Sequence, residues 1–221
     1  MAPRITTDSQ KVLDVFQPGL IRGAETLSRD STKRYFYVEH PTEGWRVYLR
    51  AVCFIHELYK PFQPDRFVVV KRTGGETDKA TWEAPKGQME GKDGLRNVGK
   101  SIYQLLRDNV RREVEEEAKI KYLREVQHTG LVLQSTESDY PENHYFQYHI
   151  FSAYTHPAQI VAAQEEFKWL EEHPAAFARM KRDKREKDAI GWYGGEETKM
   201  MGKWSPHLVE MYLGSFRGGV R

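Results

Sequence analysis

The sequence predicts an α/β fold of the α+β kind, on three observations. Apolar, aromatic and β-branched runs recur at 34–40, 45–58, 66–72, 126–134 and 144–154, and these read as strands. Two longer stretches, from Ser101 to about Ile120 and over 158–188, carry helical patterns instead. Of the 221 residues 39% are hydrophobic and 12% aromatic, which is enough to build a core of domain size.

The elements follow in order. Residues 1–33 are mixed and polar, with one amphipathic patch at Val12, Leu13, Val15 and Phe16, and form an N-terminal extension. Segments 34–40 and 45–58 flank the turn-like Pro41-Thr42-Glu43-Gly44 and suggest a hairpin feeding a long strand. Phe67-Val68-Val69-Val70 between charges reads as a strand buried on both faces, and Thr73–Asp78 as a loop. Trp82–Gly87 is a short strand, and the glycines at 91, 94 and 99 mark an extended loop. Ile102, Leu105, Leu106, Val110, Val114 and Ala118 then recur three and four apart, with Ser101 as N-cap. Residues 158–188 read mostly as helix broken at His173-Pro174, its second part a charge run on a solvated face. The main domain spans 34–188, and 189–221 is a C-terminal extension ending in an Arg/Gly tail too short for an RNA-binding segment.

Charge excludes some functions. Lys and Arg number 34 against 32 Asp and Glu, so the net charge is +2. A polyanion-coating protein carries a large basic excess, and a disordered chain a large net charge with few aromatics. The single cysteine, Cys53, rules out an intramolecular disulfide and a cysteine-only zinc site, and in its apolar run it reads as a buried hydrophobe. That fits a reducing, intracellular compartment, with cytoplasmic as the default. The N-terminus lacks the apolar core of a secretory signal. No apolar stretch approaches the roughly 18 residues that cross a bilayer, so no membrane partner is expected.

The chemistry is concentrated in Arg111-Arg112-Glu113-Val114-Glu115-Glu116-Glu117-Ala118-Lys119-Ile120. On a helix Glu113, Glu116 and Glu117 share a face, while Glu115 points elsewhere. Like charges so spaced destabilise a helix, and the negative end of the dipole adds to the cost. Divalent Mg2+ or Mn2+, which prefers carboxylate oxygen, would compensate. Pairing with Arg111, Arg112, Lys119 and Lys121 on an exposed face is the plainer alternative.

Upstream, Pro85-Lys86-Gly87-Gln88-Met89-Glu90-Gly91-Lys92-Asp93 is a glycine-bearing loop leaving a strand. Together the two segments resemble the signature of the Nudix hydrolases, G-x5-E-x7-R-E-U-x-E-E-x-G-U, where U is aliphatic. Gly87 matches the opening glycine, Asp93 stands at the first Glu, and Glu90 matches an acid common in the family. Arg112 to Ile120 match the second half except that Lys119 replaces glycine. Eighteen residues, 94–111, separate Asp93 from Arg112 where the signature has seven, so eleven are inserted near 94–104. The resemblance covers roughly 48–180.

The resemblance implies a Nudix-type α/β/α sandwich with a mixed sheet. It implies Mg2+ or Mn2+ on Glu113, Glu116 and Glu117, with the Gly87 carbonyl adding a ligand. Arg112 would be a structural partner of Asp93 or Glu90. The implied activity is hydrolysis of a diphosphate linkage in a nucleoside-diphosphate-type substrate: a dinucleoside polyphosphate, nucleotide sugar or capped RNA. Glu166, beside Glu165 and before Trp169, is the candidate base; Glu137, Asp139 and Glu142, or Glu113 itself, are alternatives. Lys86 and Arg72 are candidates for further phosphate contacts. Trp45, Tyr37, Tyr140 and Tyr145 could stack a nucleobase, though packing suits each as well. The basic run 179–187 would serve an RNA substrate or partner. A homodimer is also expected from the family. A second reading is a non-catalytic Nudix-like binding or structural module in a ribonucleoprotein or protein complex, motivated by the insertion, Lys119 and the basic run.

Overall fold

The computed structural model describes residues 11–28, 30–76 and 79–217. The first ten residues, Thr77 and Asp78 of the 73–78 loop, and Gly218 to Arg221 of the Arg/Gly tail lie outside them. The chain is a mixed α/β protein. Its elements are β1 (Ile21–Leu27), β2 (Asp30–Glu39), β3 (Arg46–Glu57), β4 (Val68–Arg72), β5 (Trp82–Glu83), β6 (Lys86–Gln88), α1 (Gly91–Leu95), α2 (Ile102–Ala118), β7 (Arg124–Ser135), β8 (His144–Thr155), α3 (Pro157–Glu172), α4 (Pro174–Arg179), β9 (Lys187–Trp192) and α5 (Trp204–Arg217). One sheet runs β1-β2-β3-β8-β7 with β6 on β3, and a second runs β5-β4-β9.

The chain divides into two compact units, and β3, β6, α2, β7 and β8 have residues in both. One unit holds residues up to Val52, Gly87–Val110 and His128–Ile150. Here the expected hairpin forms: β2 pairs antiparallel with β3, with Gly44 at φ 69 in the connection. β1, inside the segment read as an extension, pairs along β2. Leu27, Tyr35, Tyr48 and Phe146 form a buried cluster. The glycines at 91 and 94 lie in α1, where the sequence suggested only a loop. Their spacing answers to packing: a Cβ on Gly94 would overlap the Phe36 ring, and one on Gly91 would crowd Ala24.

The other unit holds Cys53–Lys86, Arg111–Gln127 and the chain from Phe151. Val68, Val69 and Val70 are fully buried, as a strand covered on both faces requires. Phe54 stacks on Tyr212 at 4.0 Å between ring centres and meets Phe67 edge-on at 4.8 Å. So α5, beyond residue 188, supplies core through Tyr212. Burial raises the Cys53 thiol, as befits a small hydrophobe. The break at His173-Pro174 separates α3 from α4.

Residues 180–188 correct the sequence reading. They do not continue a helix: Arg182–Arg185 make a single 3-10 turn, and Lys187 opens β9, which pairs antiparallel with β4. The charge run has no apolar period to hold a helix against a core, whereas Ile190 and Trp192 favour a strand. Among the described residues, no helix is long and apolar enough to cross a membrane.

Candidate active site

Helix α2 starts where the sequence places it. Ser101 Oγ accepts the Gln104 N–H at 3.2 Å, and Gln104 Oε1 accepts the Ser101 N–H at 2.8 Å, a reciprocal capping box. The six apolar positions from Ile102 to Ala118 are all buried. Arg112 is the eleventh residue of this helix, so much of the inserted length becomes additional helix before the acidic segment.

The helix ends at Ala118, and Lys119 takes φ 60, the left-handed conformation that commonly follows a helix and that glycine adopts most easily. The Lys119 side chain offsets part of the strain. Its Nζ donates to the Glu116 carbonyl at 2.7 Å and to the Lys184 carbonyl at 2.6 Å, and lies over the Phe167 ring. Burial lowers the Lys119 ammonium, and the charge of Glu166 on α3 opposes that only in part.

Arg112 binds two of the helix glutamates. Its Nη2 is 2.7 Å from Glu113 and its Nη1 is 2.9 Å from Glu116. Glu113, only 12% exposed at its side chain, is pushed up to about 8. Burial is the main cause; Arg112 opposes it, and the charges of Glu117, Glu116 and Glu186 add to it.

Glu117 belongs to a different group. Its Oε2 accepts the backbone N–H of Lys86 at 2.8 Å, and its Oε1 is 2.9 Å from Lys187 Nζ. Lys187 also pairs with Glu83 Oε1, and Glu83 Oε2 is 2.6 Å from Lys86 Nζ. β5 and β9 flank β4, so Glu83 and Lys187 reach each other across one strand. Glu83, Glu117 and Lys187 are each 4% exposed. Burial alone would raise the Glu83 carboxyl, but Lys86 and Lys187 outweigh it and hold it down at about 2. Glu117 moves up, because burial and the Glu83 charge exceed what Lys187 and Lys86 return.

The remaining expected residues are dispersed. The Gly87 carbonyl accepts the Asn109 side-chain amide at 3.4 Å. Glu90 caps α1 reciprocally with Asp93 and pairs with Lys33 and Lys92. Arg72 is exposed at the end of β4. Glu137 pairs with buried Arg50 at 2.9 Å, while Glu165, Asp139 and Glu142 are exposed. Trp45 is buried beside His40, Arg46 lies over the Tyr37 ring, and Tyr140 bonds Ser28. Glu83, Glu186 and Lys187 enter only through the structure. Glu83 looked like an ordinary strand residue, and Lys187 looked like one base among six.

A divalent cation can be tested against these side chains. Among the described residues, no three His, Cys, Asp or Glu side chains stand together as a metal-holding group. Glu113 and Glu116 have suitable chemistry: two carboxylates share one arginine, and one is desolvated beside surplus negative charge, which a divalent ion relieves. Glu117 does not fit in this arrangement, since each of its oxygens already holds a donor.

No protein-family model and no curated protein matches the sequence. In fold the chain is similar to solved structures titled as Nudix proteins. A NUDIX hydrolase from Nitrosomonas europaea is 14% identical, with a TM-score of 0.38, over 76% of this chain and 89% of that one. A second Nitrosomonas europaea NUDIX hydrolase structure is 12% identical, with a TM-score of 0.41, over 95% and 94%. A mutT/nudix family protein from Listeria innocua is 17% identical, with a TM-score of 0.37, over 77% and 92%.

Proposed function

We propose that the chain is a Nudix-type hydrolase that uses Mg2+ or Mn2+ to cleave a diphosphate linkage in a nucleoside-diphosphate-type substrate. The observation that carries this is the Arg112-Glu113-Val114-Glu115-Glu116-Glu117 segment on α2, where a desolvated Glu113 and its neighbour Glu116 share Arg112. Glu113 and Glu116 would hold the cation, and Arg112 sets the orientation of both carboxylates. Such an ion neutralises diphosphate oxygens and lowers the pKa of attacking water. Glu166, whose charge reaches Lys119 at the end of α2, is the proposed base. Lys86 is committed to Glu83, so exposed Arg72 is the better candidate for a further phosphate.

The test is a substrate panel with each metal: dinucleoside polyphosphates, nucleotide sugars and capped RNA. Glu166→Gln should slow the identified reaction by about 100-fold or more. Glu116→Gln should abolish it with the fold retained by circular dichroism. If Glu116→Gln matches wild type, this assignment fails.

A second reading, a non-catalytic binding module, is favoured by one observation: Lys187 already neutralises Glu117. Calorimetric titration separates the two, because a module of that kind would bind neither Mg2+ nor Mn2+.

A further inference from the structure

We propose that Lys187 is a resident counter-cation. Its ammonium stands between Glu83 and Glu117, so Glu117 serves as a tie between α2, β6 and β9 and leaves divalent-cation binding to Glu113 and Glu116. The geometry supports each part. Lys187 Nζ contacts both carboxylates, and all three residues are nearly sealed from water. Glu83 spans Lys187 and Lys86, and Glu117 spans Lys187 and the Lys86 backbone N–H. Two lysines and two glutamates are therefore linked in a ring. A divalent ion at Glu117 would have to displace an ammonium with almost no exposure to solvent. Glu113 and Glu116 have one guanidinium between them, at side-chain exposures of 12% and 20%. The statement about divalent binding rests on the proposed function; the statement about Lys187 does not.

Two measurements on the full chain test it. The first is thermal unfolding in EDTA and in millimolar MnCl2. Lys187→Met leaves two buried carboxylates facing each other, and Tm in EDTA should fall by roughly 10 °C. Adding Glu117→Gln to that variant removes one of the charges while keeping an acceptor for the Lys86 N–H, and should recover part of the loss. Mn2+ should raise the Tm of Lys187→Met more than that of wild type, since the vacated place now attracts it. Equal Mn2+ shifts, with no recovery in the double variant, would overturn the proposal. If Lys187→Met does not fold, the double variant should still fold; failure of both counts against it.

The second measurement is Mn2+ affinity by calorimetry. Glu117→Gln should stay within about threefold of wild type, while Glu113→Gln and Glu116→Gln lose tenfold or more. Equal losses in all three variants would make Glu117 a ligand and overturn the proposal. Wild type that binds no Mn2+ would sink the proposed function instead, with the EDTA unfolding series still deciding the role of Lys187.

Discussion

In one unit, four charged side chains, Glu83, Lys86, Glu117 and Lys187, are packed together, all but Lys86 buried. In the other, four uncharged ones form a chain. Gly130 N–H donates to His128 Nδ1, and His128 Nε2 meets His149 Nδ1 at 3.0 Å. His149 Nε2 meets Gln147 Oε1 at 3.0 Å, and Gln147 donates to Gln134 Oε1 and the Leu13 carbonyl. The bond from Gly130 makes His128 Nδ1 an acceptor, so both rings are neutral with the proton on Nε2. Phe16 closes over both imidazoles. Both networks satisfy buried polar atoms. The ionic one does so by balancing charge, the neutral one by fixing tautomers, and the two should fail under different insults.

Removing a partner should hurt the ionic network most. Glu83→Ala takes a carboxylate away from both Lys86 and Lys187, at a cost of about 3–5 kcal/mol. Urea unfolding reads this directly. A loss below about 1 kcal/mol would mean that the ring contributes no more than an exposed pair.

Acid should reverse the order. Burial lowers His128 to about 4, and His149 well below the usual imidazole value, with the His128 charge adding to it. A folded value below the unfolded one means that the unfolded chain takes up the proton first as pH falls. The stability from neutral His128 is thus complete above about pH 6.5 and drains away toward pH 4, by about 3 kcal/mol. Glu83, held at about 2, stays ionised throughout that window. Tm should therefore fall between pH 6.5 and 4 in wild type and fall less steeply in His128→Gln. Parallel slopes would show that His128 does not carry the effect.

What the sequence revealed differs between the two networks for a physical reason. The stripe from Ile102 to Ala118 and the Ser101 cap were legible because helix period and capping are local. So was the hairpin, from its turn and its β-branched flanks. Glu83 and Lys187 lie 104 residues apart and meet only because β4 separates their strands. His128 and His149 meet through the sheet, which parity along β8 alone could not reveal. Glu113, Glu116 and Glu117 were correctly placed on one helix, yet their partners divide them: Arg112 takes two, and Lys187 takes the third. Residues 180–188 were misread as helix because a charge run without apolar period says little about the backbone that carries it.

Lys119 sharpens the contrast from a third side, as a largely buried ammonium held by two carbonyl oxygens. It also occupies φ 60, where a Cβ costs about 1 kcal/mol that glycine avoids. Lys119→Ala keeps the strain and loses both hydrogen bonds, while Lys119→Gly loses the bonds and relieves the strain. The glycine variant should therefore be the more stable of the two by about 1 kcal/mol in urea unfolding. Wild type should exceed both if each ammonium–carbonyl bond contributes about 1.5 kcal/mol, the lower end for a charged donor. If glycine equals or exceeds lysine, carbonyl partners do not repay the burial of an ammonium here, and the pairing of Lys187 with two carboxylates becomes the condition for keeping a lysine inside this protein.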